Sequence, residues 1–133
     1  MAVRVFLDTN VWLSAVVFSG LCAEILLELD ARGHQLLTSV LLREEVHAVM
    51  QRKFPRQATA VERFDALWAD ATRVPDVVEP ADDADTRLVA ATGAAGADIF
   101  ITRDPRVLNR DPRGEMGILS PRLTWQRAVT PTP

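Results

Sequence analysis

The sequence Arg4-Val-Phe-Leu-Asp8-Thr-Asn10-Val decides the expected fold. An apolar, β-prone run over residues 3–7 ends abruptly in Asp8, and a helix-like apolar run follows over residues 11–18. This order predicts a buried strand that carries a carboxylate at its C-terminal end, where a helix begins. Because open α/β sheets bind their ligands at that edge, Asp8 is the first candidate site residue.

The composition is that of an ordinary globular protein. The 133 residues, 48% hydrophobic and 25% charged, predict one domain over residues 1–129 and a disordered tail over residues 130–133. Cys22 is the only cysteine, which excludes an intramolecular disulfide and a cysteine-rich zinc site. The longest apolar run is far shorter than the roughly 20 residues that span a bilayer. We recognise no secretion signal and therefore expect a cytoplasmic protein without a membrane partner.

Strand-like and helix-like segments alternate along the rest of the chain. Further strands are predicted at residues 35–38, 74–78, 99–101 and 118–119. Helices are predicted at residues 11–18, 21–32, about 41–54, 59–71, 86–95 and 121–128. The alternation predicts an α/β fold, a three-layer α/β/α sandwich around a mainly parallel sheet of roughly five strands.

Acidic residues from distant points of the chain are expected at one edge of this sheet. Asp104 follows a predicted strand, as Asp8 does. Either Glu44 or Glu45 lies in the first turns of a helix that also starts after a strand. Asp85 lies at another helix N-terminus, where acids are also common as caps. Since the carboxyl ends of parallel strands share one edge, these side chains are expected to converge there.

A cluster of carboxylates has a characteristic chemistry. Carboxylates in one pocket repel each other, so their pKa values rise unless a cation neutralises them. Mg²⁺ prefers oxygen ligands and is usually held by a few carboxylates, several waters and substrate phosphate. Such a cation lowers the pKa of bound water and stabilises charge on a phosphoryl group. An acid cluster without histidine or cysteine therefore favours Mg²⁺- or Mn²⁺-dependent phosphodiester chemistry over a zinc site.

In order and spacing, the segments that carry these acids resemble those of the PIN-domain ribonucleases. The matching segments are Leu7-Asp-Thr-Asn-Val-Trp-Leu-Ser-Ala, Ser39-Val-Leu-Leu-Arg-Glu-Glu-Val-His-Ala-Val, Asp85-Thr-Arg-Leu-Val-Ala-Ala, Ile101-Thr-Arg-Asp and the closing Leu119-Ser-Pro. The resemblance covers nearly the whole chain. It implies the PIN-like fold, Mg²⁺ or Mn²⁺ as cofactor, and hydrolysis of RNA that leaves a 5′-phosphate and a 3′-hydroxyl.

The resemblance also implies roles for individual residues. The catalytic acids and metal ligands would be Asp8, Glu45, Asp85 and Asp104. Hydrogen bonds would be supplied by Asn10, Thr102 and, more weakly, Ser14. Glu44 would point about 100° away from Glu45 around the helix, towards the surface. Asp82 and Asp83 crowd the third position and leave open whether either replaces or assists Asp85, which Leu88 and Val89 follow at the family's spacing.

Basic residues gather in two stretches although the net charge is −3. They are Arg52, Lys53 and Arg56, then Arg103, Arg106, Arg110 and Arg113. As groups they are candidate contacts for RNA phosphates, with Arg52, Lys53, Arg103 and Arg106 the first candidates. The stretch Arg52-Lys53-Phe54 resembles the VapC-like branch of toxin components of toxin–antitoxin systems. That resemblance implies a small antitoxin protein as partner and a homodimer.

Other readings of the same residues remain. A PIN-like module that only binds RNA or protein would not need all four acids. A receiver-like signalling domain would need a lysine after a late strand, whereas Lys53, the only lysine, ends a predicted helix. His34 and His47 are interpreted as structural or solvated. Trp12 and Trp68 are interpreted as core or interface residues, because no basic residues flank them closely in the sequence.

Overall fold

A computed structural model describes residues 2–77, 84–109 and 116–129. Within them lie the strands β1 (Arg4–Leu7), β2 (Gln35–Thr38), β3 (Thr72–Arg73), β4 (Ile99–Ile101) and β5 (Gly117–Leu119). These strands form a parallel sheet in the order β3-β2-β1-β4-β5. The predicted parallel sheet is confirmed, with β1 at its centre.

Helices connect the strands. They are α1 (Thr9–Val17), α2 (Leu21–Ala31), α3 (Val40–Lys53), α4 (Ala58–Asp70), α5 (Ala84–Ala94), α6 (Pro105–Leu108) and α7 (Pro121–Thr124), followed by a π-helical segment, Trp125–Val129. The three-layer α/β/α prediction is confirmed by this arrangement. In the described ranges no single helix has the length and apolar character to cross a membrane; α1 and α2 reach both only as a pair, which is bent by 97°.

The central strand is buried on both faces. Val5 and Phe6 are fully buried and Leu7 is 1% exposed. The ring of Phe6 stacks on that of Phe100 in β4, with centroids 5.3 Å apart and planes 7° apart. A strand covered on both sides of a parallel sheet reads as a continuous apolar run, as this one does. This packing fixes the end of β1 and therefore the position of Asp8, the next residue.

Short polar side chains begin the helices that leave the carboxyl edge of the sheet. Asp8 caps α1, Ser39 caps α3, Asp104 caps α6 and Ser120 caps α7. Each side chain accepts a hydrogen bond from a backbone N–H of the first turn that has no partner within the helix. The predicted Ser39 cap is confirmed, with Ser39 Oγ 3.2 Å from the Leu42 nitrogen. Because Asp8 caps α1, that helix starts at Thr9, two residues earlier than predicted.

The predicted extended segment at residues 74–78 is wrong in position. The third strand is instead β3, which pairs with Leu37 and Thr38 of β2. The Val74 N–H still donates to the Thr38 carbonyl oxygen at 2.7 Å. β2 ends at Thr38 and Ser39 already caps α3, so the pairing goes no further. Val78 lies outside the described residues.

The last predicted helix, residues 121–128, changes type within its length. The α-helical part ends at Thr124, whose hydroxyl donates to the Ser120 carbonyl oxygen at 2.9 Å. Hydrogen bonds of this kind compete with the regular ladder and bend helices. The π-helical segment follows directly. The predicted tail at residues 130–133 lies outside the described residues.

Candidate active site at the carboxyl edge of the sheet

Asp8 is buried and held from two sides. Its exposed fraction is 2%. One carboxylate oxygen, Oδ1, accepts the Thr9 N–H at 2.8 Å, and the other, Oδ2, lies 2.7 Å from Thr102 Oγ1. The Asp8 backbone N–H donates to the Ile101 carbonyl oxygen at 2.9 Å, which extends the pairing of β1 with β4. The orientation of the carboxylate is therefore fixed by the sheet, by the helix cap and by a buried hydroxyl.

The hydroxyl of Thr102 links the ends of the two central strands. Thr102 is fully buried. Its oxygen accepts the Asp104 N–H at 3.1 Å and lies 3.5 Å from Asn10 Nδ2. A hydroxyl has one hydrogen and an ionised carboxylate only accepts, so Thr102 donates that hydrogen to Asp8. Thr102, which was predicted to support the site, therefore contacts Asp8, Asn10 and Asp104 through one hydroxyl.

Arg103 joins the same edge to the first helix. Its backbone N–H donates to Asn10 Oδ1 at 3.0 Å, and its guanidinium Nη1 donates to Ser14 Oγ at 2.6 Å. Asn10 and Ser14 are four residues apart on α1, so they share one face of the helix. Both predicted supporting residues therefore lie beside the acids, and both hold Arg103.

Asp104 lies at the rim of the site. Its Oδ1 accepts the Arg106 N–H at 2.9 Å, and its Oδ2 lies 3.0 Å from Arg106 Nη2. The Asp104 side chain is 17% exposed, and that of Arg106 is 83% exposed. The carboxylate thus caps α6 and shares a solvent-exposed ion pair. The pair is visible in the sequence, because a residue two positions after a helix cap lies next to the capping side chain.

The other two predicted acids belong to the N-terminal parts of helices α3 and α5. Glu45 is half-buried on α3, one residue after the exposed Glu44. This difference in burial agrees with the expectation that Glu44 faces outwards. Asp85 is the second residue of α5, which packs against α3, but its side chain is not among those described. Asp82 and Asp83 lie outside the described residues.

A divalent cation fits the chemistry of these side chains. Within the described ranges, no group of three or more histidine, cysteine or carboxylate side chains is arranged to hold a metal ion, so Asp8, Glu45 and Asp104 do not form one by themselves. Mg²⁺ does not need such a group, because it keeps waters and takes one or two carboxylates with substrate phosphate. The donors here are carboxylate, amide and hydroxyl oxygens, which suit Mg²⁺ or Mn²⁺ better than zinc.

Two adjoining clefts run along this edge and share Ser14, Phe18 and Arg103. The first, of about 540 Å³, is also lined by Asn10, Lys53, Phe54, Asp104 and Arg106. The second, of about 600 Å³, continues past Gly20 and Cys22 to Arg122. Asp104 is the one acid in the described linings, against the four basic residues Lys53, Arg103, Arg106 and Arg122. The groove formed by the two clefts is therefore basic, although the net charge of the chain is −3.

The predicted phosphate contacts divide between groove and surface. Lys53, Arg103 and Arg106 line the groove. Arg52 and Arg56 are exposed but line neither cleft. Arg110 and Arg113 lie outside the described residues. Arg122 belongs to the groove and was missed, because an isolated arginine in the sequence gives no sign of what the fold brings beside it.

The surroundings of Cys22, His34 and His47 do not indicate a catalytic role. Burial raises the pKa of the Cys22 thiol, although Arg103 and a hydrogen bond with Ser14 act in the opposite direction. A raised pKa disfavours the nucleophilic thiolate. His34 Nδ1 accepts the Val3 N–H at 3.0 Å, and His47 Nε2 lies 2.6 Å from Asp65 Oδ1. These contacts agree with the structural reading of both histidines.

Trp68 anchors the start of α3. Its indole Nε1 donates to the Ser39 carbonyl oxygen at 3.0 Å, and the side chain is buried. The interpretation of Trp68 as a core residue is confirmed. Although no basic residue flanks it closely in the sequence, the guanidinium groups of Arg73 and Arg43 lie 4.3 and 5.3 Å from its ring centroid. Arg43 lies 25 positions before Trp68 in the sequence, so only the packing of α3 on α4 brings them together.

The chain was compared with models of protein families. Residues 4–106 match the family model described as PIN domain. This span runs from the start of β1 into α6 and includes Asp8, Glu45, Asp85 and Asp104. A search of curated proteins found no match to the chain.

Proposed function

Because the chain belongs to the PIN-domain family, we propose that it is a metal-dependent endoribonuclease that hydrolyses RNA phosphodiester bonds. PIN domains are in general nucleases, which accounts for the phosphodiester part of the proposal. The observation that carries the rest is the buried Asp8 carboxylate, fixed by Thr9 and by Thr102, whose hydroxyl also accepts the N–H of Asp104 in the lining of the basic groove. Burying an unpaired charge is costly, so a buried carboxylate with a fixed orientation is suited to holding a cation rather than to contacting solvent at the surface.

The proposed site assigns a role to each acid. Asp8, Glu45, Asp85 and Asp104 would hold Mg²⁺ or Mn²⁺. When bound, the cation neutralises charge on the phosphate and lowers the pKa of a water. Support for this assignment comes from the oxygen-only donor set and from the position of α3 and α5 at the same edge as Asp8.

The chain's other residues bind and orient. Thr102 keeps the Asp8 carboxylate in one orientation, and Asn10 holds the backbone of Arg103. Ser14 holds the Arg103 guanidinium, which leaves this cation pre-positioned for a phosphate. Lys53 and Arg106 would contact neighbouring phosphates along the groove. Hydrolysis without a covalent enzyme intermediate would leave a 5′-phosphate and a 3′-hydroxyl.

The nuclease proposal is tested by cleavage of mixed RNA with Mg²⁺ or Mn²⁺ and with EDTA. The parent is expected to cleave only with the divalent cation, and Asp8→Asn is expected to be inactive. Glu28→Gln is the matched control, because it neutralises an exposed acid on α2 that is paired only with Arg32 in the contacts described. Equal cleavage by the parent and Asp8→Asn would refute the site. RNA binding without cleavage by the parent would favour the alternative, a PIN-like module that binds RNA or protein.

A biological role as the toxin of a toxin–antitoxin pair is a separate part of the proposal. Its support is the resemblance of the Arg52-Lys53-Phe54 stretch to that branch. It would act in the cytoplasm as a homodimer and would be neutralised by a small antitoxin protein. Induced expression is expected to arrest growth, and co-expression of a small adjacent gene to restore it. Normal growth on induction, with no small gene adjacent, would contradict this role but not the nuclease activity.

A further inference from the structure

Phe18 is an exposed aromatic side chain beside the candidate site. It follows the last residue of α1, and 58% of its surface is exposed. The large apolar side chains exposed in the described ranges are Phe18, Leu27, Val40 and Leu123, of which Phe18 alone is aromatic. Phe18 also lines both clefts of the groove, next to Ser14 and Arg103. The ring contacts Phe54 within the chain but leaves more than half of its surface exposed in the groove.

Two helix ends hold the ring in place. The Phe18 N–H donates to the Ser14 carbonyl oxygen at 3.3 Å, which closes the last turn of α1. The rings of Phe18 and Phe54 are 6.0 Å apart between centroids with planes at 81°, an edge-to-face contact. Phe54 directly follows Lys53 at the end of α3. An exposed ring with a fixed neighbour loses little conformational freedom on binding.

The charges around Phe18 identify the kind of ligand. Lys53, Arg103 and Arg106 line the cleft on one side, and Arg103 and Arg122 line the cleft on the other. An aromatic ring among cations is the arrangement by which proteins bind single-stranded nucleic acid, with bases stacked on the ring and phosphates at the basic side chains. An apolar anchor of a protein partner would also fit the ring, but it would leave these cations without phosphates to pair with.

We propose that Phe18 is the stacking platform for an unpaired nucleobase next to the phosphate held at the Asp8–Asp104 edge. The substrate is then a single-stranded segment of RNA, because only an unpaired base can leave its stack and lie on a side chain. This inference rests on the proposed nuclease function. Phe18 acts in it as a specificity residue that selects unpaired RNA, apart from the acids.

Binding of a fluorescent single-stranded RNA and of its duplex tests the platform. Fluorescence anisotropy is measured in EDTA on the full chain carrying Asp8→Asn, so that no RNA is cleaved. Adding Phe18→Ala is expected to weaken single-strand binding about 5- to 150-fold. Phe18→Leu, which keeps the apolar contact without the ring, is expected to lose most of the same affinity, and Phe18→Trp to retain it. Leu27→Ala removes a more exposed apolar side chain outside the groove and is expected to change nothing.

Salt dependence separates stacking from charge. Arg103→Gln is expected to reduce the slope of log affinity against log salt by about 0.7, whereas Phe18→Ala leaves the slope unchanged. Thermal unfolding checks that each variant folds, and Phe18→Leu and Phe18→Trp supply the answer if Phe18→Ala does not. If Phe18→Leu binds the single strand as tightly as the protein with Phe18 does, the stacking role is overturned. Equal losses of single-strand affinity and duplex affinity in Phe18→Ala would also overturn it. Loss of binding in Phe18→Ala with no cleavage by the unsubstituted chain would instead overturn the hydrolysis and leave the platform standing.

Discussion

Asp8 and Asp104 follow neighbouring parallel strands and cap the next helix, yet the fold holds their carboxylates in different ways. Asp8 is 2% exposed and receives a backbone N–H and the buried hydroxyl of Thr102. The Asp104 side chain is 17% exposed and meets the guanidinium of Arg106, itself 83% exposed. One local sequence pattern has thus produced one internal and one peripheral carboxylate.

The difference teaches which acid is fixed and which can exchange partners. Rotating the Asp8 carboxylate would leave the buried Thr102 hydroxyl without its acceptor, which costs about 1–3 kcal/mol. An exposed ion pair such as Asp104–Arg106 is worth about 0–1 kcal/mol, so Asp104 can give up Arg106 for a cation or a phosphate at little cost. We therefore expect Asp8 to be a permanent part of the site and Asp104 an adjustable one.

The largest expected effect compares Asp8→Asn with Asp104→Asn. Asp8→Asn is expected to lower kcat/KM for RNA cleavage by at least about 100-fold, as when one group of a preorganised site is removed. Asp104→Asn is expected to cost only about 10-fold, because this carboxylate is already partly neutralised by Arg106. Steady-state cleavage of a defined RNA measures both, with thermal unfolding to verify the fold. Equal losses would show that burial does not separate the two acids.

A second prediction addresses the link between the two acids. Thr102→Val keeps the shape of the side chain but removes the hydroxyl that joins Asp8, Asn10 and Asp104. It is expected to lower kcat/KM about 10- to 100-fold and the free energy of unfolding by about 1–3 kcal/mol. Thr102→Ser keeps the hydroxyl and is the matched control. It is expected to retain activity and to lose about 1 kcal/mol for the missing methyl group. Similar activity of Thr102→Val and Thr102→Ser would show that the hydroxyl does not support the site.

The structure is predictable from the sequence where a local pattern decides it. The strands at residues 35–38 and 99–101 were predicted with the boundaries observed, because short apolar runs between turn residues have few alternatives inside a parallel sheet. The Ser39 cap was predicted for the same local reason. The edge shared by Asp8 and Asp104 followed from topology alone, since parallel strands place their carboxyl ends together.

The structure is not predictable from the sequence where distant residues meet or where two local conformations are close in energy. The pairing limit of β3 depends on how far β2 extends before Ser39 caps α3, which the apolar pattern at residues 74–78 does not indicate. The groove is another case, because it joins the ends of α1 and α3 to Arg122, which is far along the chain. Phe18 lies exposed where the ends of α1 and α3 meet, and no periodicity in the sequence predicts its exposure.

The smallest expected effect concerns the ion pair that makes Asp104 adjustable. Arg106→Gln removes the guanidinium from Asp104 but keeps the backbone N–H that Asp104 caps. If Arg106 competes with the cation for this carboxylate, the Mn²⁺ concentration that gives half-maximal cleavage is expected to fall about 1.5- to 5-fold, the equivalent of an exposed ion pair. Arg122→Gln is the control, because it removes a groove cation that lines the other cleft, away from Asp104. Both variants should weaken RNA binding, and only Arg106→Gln should ease the metal requirement. An unchanged Mn²⁺ requirement in Arg106→Gln would mean that Asp104 does not exchange partners, and the contrast with Asp8 would then be one of burial alone.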